Sequence, residues 1–550
     1  MASGRRLLSL ASAGKLPYAV RLKNRKITEF SSAKDIEAFV SSTPAGEFHA
    51  STVAKSFLAL AQHGSTSTAS AEKLAALAQR MVFADESELA QVCLAIAQLG
   101  LLDRVPLEMV KQLDKHHEQL ASPSSISNTL CVLALDQPQK EEERMYSSLA
   151  SRLLGQMEVM PHWDLFRTKQ LVQVMWAMAV LQPSDRSQLV SRLVDEFCEY
   201  RDLSLLTVSE LGNLAWAAST LKVKSSPLFE LVGRELVHRR GQSDLVEYDP
   251  QCIVSLAWAF AWQSAAAPTG VLDKLCNEAM HHSNSFTSMQ AATMLCALSE
   301  KSFRADKLLP VLTQQVLDNL GSATVEDLTF TLQTFAWFDV TKKGDALLTK
   351  LVSEVCRRPV DNRTVCTTLW CLAALDLLHE DNVREYFNQP PLPVQVDGTA
   401  KEAHQVFQTK LMWQQAFPKK PIPALLNSIA SVDWIHSHVG KMDQGFTSIQ
   451  LQALNCILEH FPDAVNNKVL LDGITCDMFI KSQNTAIFID YPTRFCVNDS
   501  KLMTGKLRVK QRILERAGYK VLHLSAAAKF DRAAINEKHK LIKQLIKQLN

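Results

Sequence analysis

Glycine is scarce in this 550-residue chain, with 18 positions in all. So few residues that adopt left-handed turns freely argue against an all-β architecture and leave helices as the main material. Long apolar runs are missing too. The stretch Leu256-Ala-Trp-Ala-Phe-Ala-Trp262 is seven residues long, far short of the roughly 18 that a membrane-spanning helix needs. The twelve cysteines include no C-x-x-C pair, which removes the usual zinc-site spacing. With no secretory hydrophobic segment at the start, they read as small hydrophobes in a reducing compartment. The doublets His116-His117 and His281-His282, and the pair His436 and His438, read as solvated or capping residues. No phosphate loop, glycine-rich strand–helix turn or nucleophile motif is present, so kinase, dehydrogenase and hydrolase readings lack support. Acids are absent from residues 1–28, where Arg5, Arg6, Lys15, Arg21, Lys23, Arg25 and Lys26 stand. Such a leader is the pattern of organelle import, which predicts a mitochondrial matrix protein with a plastid as the alternative.

Positive charge is concentrated at one end. Residues 501–550 hold 13 Lys and Arg against 3 Asp and Glu, while residues 29–500 hold 39 against 54. Attraction for phosphate is therefore expected at the C-terminus rather than along the molecule.

One phrase recurs through two thirds of the chain. It appears as FLALAQHG at 57, CLAIAQLGL at 93, VMWAMAVLQ at 174, NLAWAASTL at 213, SLAWAFAWQ at 255 and TLWCLAALDL at 368. Aligned bulky residues are Leu58, Leu94, Cys131, Trp176, Trp216, Trp258, Leu295, Trp337 and Trp370, with a mean spacing of 39. A period of that size marks a helical solenoid. Each phrase is followed by an amphipathic segment, such as SQLVSRLVDEF or ALLTKLVSEVC, with apolar residues every three or four positions. The unit is a hairpin of an apolar helix and a half-exposed helix, and neighbours must stack to bury both faces. The five tryptophans could stack on bases, but their Ala and Leu neighbours make them framework.

The proline-rich NQPPLPVQVDG at 388–398 marks a boundary. The expected organisation is a targeting segment at 1–40 that is disordered or cleaved, an array at 41–385, a linker with capping helices at 386–465 and a final domain at 466–550. From Val469 the period changes to short β-branched and aromatic runs, VLLDGITCDMFI, TAIFIDY and YKVLHLS, which read as strands. KLRVKQRILERAG reads as a helix stopped by Gly518. A last helix is expected over INEKHKLIKQLIKQLN, with Lys540, Lys543 and Lys547 on one face.

In that final segment Asp490, Pro492, Phe495, Thr504, Gly505, Lys510, Arg512, Leu514, Gly518, Tyr519 and Val521 fit a family pattern. The segment from 469 to about 550 resembles the RAP domain, an RNA-binding module expanded in apicomplexan parasites. The upstream units resemble the octatricopeptide and heptatricopeptide repeats that accompany it in organellar proteins. The resemblance implies a mainly α solenoid followed by a small α/β domain of restriction-endonuclease-like, PD-(D/E)xK-like type.

A nuclease of that fold needs two carboxylates for a divalent cation and a lysine two residues past the second. By resemblance Asp477 stands at the first carboxylate position, Phe488 at the second and Asp490 at the lysine position. Arg494 replaces the pattern's histidine and Tyr491 its glycine. A phenyl ring cannot ligate a metal, so no catalytic residue, metal or cofactor is expected. Asp490 is expected to end its strand by accepting from the following turn or from a base such as Lys510, with an RNA-facing role as the alternative.

Arg508, Arg512 and Arg516 recur every four residues on the predicted helix. A solvated face is the ordinary reading of such a row. Beside Lys501 and Lys506, and in a segment of 13 basic against 3 acidic residues, it is expected to contact RNA phosphates. Arg494, Lys510 and the three C-terminal lysines complete the expected RNA surface. The functions carried forward are an organellar RNA-binding protein in RNA processing, stability, rRNA maturation or ribosome assembly, a structural component of a mitochondrial ribosome touching rRNA and mitoribosomal proteins, and an RNA endonuclease.

Overall fold

The computed structural model describes residues 18–524 other than 64–67, 79–80, 82–85, 100–106, 116, 136–142, 184–185, 225, 240–247, 264–267, 269, 341–344, 392–398, 430–447 and 492–493. The described residues are 68% helical, with a small strand-containing domain at the C-terminus. Among the described residues no helix is long and apolar enough to cross a membrane. Two compact units divide it, one of residues 1–247 with 263–268 and one of 248–262 with 269–550.

In the first unit the helices Ala50–Gln62, Glu86–Gln98, Pro123–Leu135, Thr168–Leu181 and Val208–Thr220 pack side by side in that order. Helices such as Ser187–Glu199 and Ser226–His238 form a second layer. Residues 18–40, expected to be disordered or removed, are helical over Tyr18–Glu29 and Ala33–Ser42. Ile27, Ile36 and Val40 are buried there, and Asn24 meets Ser51 and Thr52 of the next helix through buried hydrogen bonds at 3.1 and 2.9 Å. Those apolar side chains hold the segment against the array.

The second unit continues the scheme with Pro250–Trp262, Ser288–Glu300, Val325–Trp337, Val365–Ala374 and Ala400–Ala416 as the inner row. Four inner helices begin on threonine capping boxes. Thr207, Thr287, Thr324 and Thr399 each form a capping box with a Glu, Gln or Asp three residues on, satisfying amide donors that a helix start leaves open. They end without glycine. Lys222, Ser302, Asp339 and Asp376 take left-handed φ of 58°, 53°, 51° and 62°. The following residues close six-to-one bonds, as in Phe303 N–H to Leu298 O, Val340 N–H to Phe335 O and Leu377 N–H to Leu372 O. Polar side chains late in the outer helices stitch repeats together. Arg201 donates to the carbonyls of Trp163 and Phe166 at 2.8 and 2.7 Å, and Arg358 to Leu320 O at 2.9 Å.

The left-handed residues correct the repeat register. Ser302, Asp339 and Asp376 are 37 residues apart. On that frame the residue matching Trp370 one repeat earlier is Gln333, and Trp337 lies one helical turn beyond it. The phrase aligned bulk rather than position. Trp337 and Trp370 are buried and Trp176, Trp216 and Trp258 half-buried, so all five serve packing, although the first two also face a cavity.

The C-terminal domain carries a sheet in the order β1-β2-β3-β6, from β1 (Ala464–Leu470), β2 (Ile474–Ile480), β3 (Thr485–Ile489) and β6 (Lys520–Leu524). Strands β1 to β3 are antiparallel and β6 lies parallel to β3. VLLDGITCDMFI, read as one strand, turns at Leu471 and Asp472, whose φ are 50° and 60°. Gly473 N–H closes the turn on Leu470 O at 3.1 Å, and three residues connect the paired Leu470 and Ile474. A short hairpin of β4 (Phe495–Cys496) and β5 (Asp499–Met503) precedes the helix Gly505–Arg516. Strand alternation sends Met478, Ile480, Ile487 and Ile489 to a core with Ile457 of the Ser448–Leu458 helix. Asp477, Phe488 and Asp490 belong to the opposite face.

Candidate nucleic-acid interface

The Gly505–Arg516 helix is held on the array along the row of inner-helix C-termini. Its first residue comes so close that a Cβ on Gly505 would stand 1.8 Å from Ala336 O. Any side chain is excluded there by backbone. Arg512 donates to Ala374 O and lies 3.3 Å from Asp339 Oδ1. Arg516 donates to Asp376 Oδ1 at 2.8 Å. Gln415 donates to Ile513 O at 2.8 Å. The β4–β5 turn meets the repeat before, with Val497 N–H on Ser302 O at 2.8 Å and Asn498 exchanging bonds with the Arg304 backbone at 2.6 and 2.9 Å. Helix C-termini carry negative partial charge, and arginine matches both their carbonyls and the adjoining aspartates.

The arginine row, expected to contact RNA phosphates, meets acids of the array through Arg512 and Arg516. Asp339 and Asp376 supply the acids from 173 and 140 residues away. Burial would raise the Asp376 carboxyl, but the Arg516 hydrogen bond and charge, with Arg512 and His379, hold it below its ordinary range. For Asp339 burial wins, and the carboxyl rises despite Arg512, Arg508 and Arg304. Arg508 and Lys501 remain exposed.

On the other side of the same helix, Lys506, Leu507 and Lys510 line a cavity of about 350 Å³. Its walls also include Trp337, Trp370, Lys401, His404, Phe488 and Arg494, and no acidic side chain. Aromatic rings lie against the cations there, while Lys401 and Arg494 also pair with Glu300 and Asp477 outside the lining. The Lys506 ammonium is 3.9 Å and that of Lys401 5.0 Å from the Trp337 ring centroid, and Trp337 meets Trp370 edge-on at 5.2 Å. The Arg494 guanidinium is 5.6 Å from the Phe488 centroid. Surrounding protein lowers the Lys506 pKa to about 8; Lys401 adds to the fall and Glu300 opposes it. The side chain itself is exposed and lines the cavity, so a ligand can reach it. Burial also lowers the Lys510 pKa, as does Arg494, against Asp477 and Cys476.

The nuclease-like positions are occupied by protein contacts. Arg494 grips both oxygens of Asp477, through Nη1 on Oδ2 and through Nη2 on Oδ1 at 2.9 Å. Ile489 N–H also donates to Asp477 Oδ2 at 2.7 Å. Phe488 is fully buried and stacks on His523, centroids 5.8 Å apart. Asp490 Oδ1 is 2.8 Å from His523 Nδ1, so the strand-end partner is His523 on β6 and not Lys510. The parallel register pairs Phe488 with His523, leaving Asp490 on the same face one step along. Lys510 reaches Thr475 Oγ1 at 3.4 Å instead. Among the described residues no group of three or more His, Cys, Asp and Glu is placed to hold a metal. Pro492 and the predicted Lys540, Lys543 and Lys547 lie outside the described residues.

Sequence reasoning missed Lys401 and His404, which sit on a helix read as a cap. Their sequence signal is faint, since KEAH on a polar helix looks like solvated surface.

A helical-repeat array closed by a small α/β module with a cationic cavity defines the class. Residues 487–528 match the family model of the RAP domain, and the chain carries that domain at its C-terminus after the helical repeats. The match is narrower than the resemblance from 469 onward. The RAP domain is an RNA-binding family, which supports a general RNA-binding role. No curated protein matches the chain.

Proposed function

We propose that this is a mitochondrial RNA-binding protein that holds transcripts or rRNA without cutting them, serving RNA processing, stability, rRNA maturation or ribosome assembly. The observation carrying the reading is the cation cluster of Lys401, Arg494, Lys506 and Lys510 around a cavity without lining acids, beside the RAP match. Phosphate neutralisation is the main term in RNA affinity, and these groups are placed for it. Residues 1–28, basic and free of acids, support the organelle, with a plastid as the alternative.

The non-catalytic part rests on Asp477. A bidentate guanidinium neutralises its carboxylate, and Phe488 contributes a ring where a nuclease would need a second carboxylate. A Mg²⁺-dependent RNA cleavage assay is expected to give no product; cutting that disappears in Asp477→Ala would establish the endonuclease instead. Crosslinking in isolated organelles followed by sequencing of the bound RNA tests the main reading, and recovery of no RNA would refute it. A second reading, a structural part of the mitochondrial ribosome, is favoured by the acidic balance of residues 29–500, which suits an array that binds basic protein rather than RNA along its length. Cosedimentation with ribosomal particles in low and high salt separates the two.

A further inference from the structure

We infer that the cavity between the array and the RAP module receives a single phosphorylated nucleotide, a terminal one of an RNA, with its phosphate on Lys506 and Lys510 and its base against the glutamine pair Gln405 and Gln408. The inference rests on the RNA-binding reading and adds a site and a chemical group to it.

Size comes first. At about 350 Å³ the cavity is near the lower end of the ~300–1,000 Å³ typical of small-molecule sites. That is room for one nucleotide and not for a stacked run.

Charge comes second. Four cations line the walls without an acid among the lining residues. Arg494 is paired with Asp477 and Lys401 with Glu300 at 2.7 Å. Lys506 and Lys510 form no ion pair among the described residues, and Lys510 makes a single long bond to a hydroxyl. Two ammonium groups four residues apart on one helix face, neither in an ion pair, suit the doubly charged monoester of a chain end better than a singly charged internal diester.

The third observation is independent of charge. Gln405 is buried with 5% of its surface exposed, its Oε1 accepts from Thr367 at 3.1 Å, and its Nε2 has no hydrogen-bond partner. A buried amide donor without a partner costs stability unless a ligand or water completes it, and Gln405 belongs to the cavity lining. Gln408 is fixed beside it, its Oε1 accepting from Trp370 Nε1 at 2.8 Å. That leaves amide N–H groups for a carbonyl or ring nitrogen of a base.

The test uses the full chain and follows Trp337 and Trp370 fluorescence together with calorimetry. The probes are 5′-AMP, 3′-AMP, 5′-UMP, adenosine, inorganic phosphate, and an eight-nucleotide single strand bearing a 5′-phosphate, a 3′-phosphate or neither. A mononucleotide is expected to bind at least tenfold more tightly than adenosine or phosphate alone. Lys506→Gln and Lys510→Gln should each lose about tenfold, the scale of one charge-assisted hydrogen bond, and Lys506→Arg should restore most of it. Gln405→Leu should weaken AMP and leave inorganic phosphate unchanged. Equal binding of adenosine and AMP, or of phosphate and AMP, overturns the inference. So does an octamer whose affinity ignores its terminal phosphate while mononucleotides fail to bind, an outcome that leaves the RNA-binding reading standing. Mononucleotide binding with no affinity for any octamer would make the source a free nucleotide and would refute the RNA reading. An unchanged melting temperature in the glutamine variants excludes misfolding as the cause of a loss.

Discussion

The Gly505–Arg516 helix carries two cationic rows with opposite fates. Arg508, Arg512 and Arg516 look from sequence like a phosphate-binding stripe, yet two of them are spent on the array's aspartates and carbonyls. Lys506 and Lys510, at the same four-residue spacing, face a cavity where aromatic and amide groups stand in place of acids. The difference teaches that the sign of a helix face says little about its partner. What counts is whether the opposing surface brings its own charge. The choice of residue fits each job, since the planar fork of arginine suits carbonyl and carboxylate pairs, while the lysine ammonium adapts to a ligand of variable position.

The largest expected effect breaks the seam that separates the two rows. Gly505→Ala forces a Cβ against the Ala336 carbonyl, and rigid overpacking costs about 1–3 kcal/mol or more. The module should lift from the array, seen as a second thermal transition and as protease cleavage ahead of β1. Gly518→Ala, at φ +86° with nothing within 4 Å, serves as the control. It should cost about 1 kcal/mol of backbone strain and leave the seam intact. A single transition in Gly505→Ala would show that the helix does not depend on this contact.

Next, the rows themselves can be compared by salt dependence. Lys506→Ala should lower the slope of log affinity for single-stranded RNA against log salt by about 0.7. Arg516→Ala should leave that slope alone and lower stability by less than about 1 kcal/mol, its ion pair being partly exposed. If the two substitutions exchange these effects, the arginine row faces RNA after all.

The pH dependence gives a third handle. The folded pKa of Lys506, about 8, lies below its unfolded value near 10.4. The folded protein therefore holds fewer protons than the unfolded chain between these values, and stability should rise with pH across that window. RNA affinity should fall over the same window as the ammonium loses its proton. The groups facing Lys506 are Lys401 and Glu300, with Arg494, Lys510 and His404 around the same cavity and Asp477 paired to Arg494, so Lys506→Arg is the variant that should abolish both trends. Denaturant melts and RNA titrations from pH 7 to 10 check this.

The smallest effect belongs to Asp376. Its carboxyl is held below the ordinary range, so its contribution is present above the unfolded carboxylate pKa and is lost as pH falls through the lower folded value. Asp376→Asn should cost about 0.5 kcal/mol at neutral pH and nothing in strong acid, readable as converging acid melts.

Much of this was legible beforehand. The hairpin array followed from period and phrase, and the α/β change after Val469 from the shift to β-branched runs. The expected helix at KLRVKQRILERAG and the strands at TAIFIDY and YKVLHLS occur. Three features were not legible. The turn at Leu471 and Asp472 is hidden inside one run read as a strand, because β2, buried at all but one position, shows no alternation to set it apart. The four-residue slip at Trp337 came from matching side-chain bulk, whereas the repeat frame is set by left-handed backbone that sequence marks weakly when glycine is absent. The cavity was missed because Lys401 and Lys506 are 105 positions apart and meet only through packing.

The sequence by itself determined which segments are helix or strand, where one architecture gives way to the other, and where positive charge accumulates. These depend on local spacing and composition. Tertiary structure decided which charges are used up within the molecule and which stay available to a ligand. That choice depends on neighbours brought from far along the chain and on how much water their packing leaves around each group.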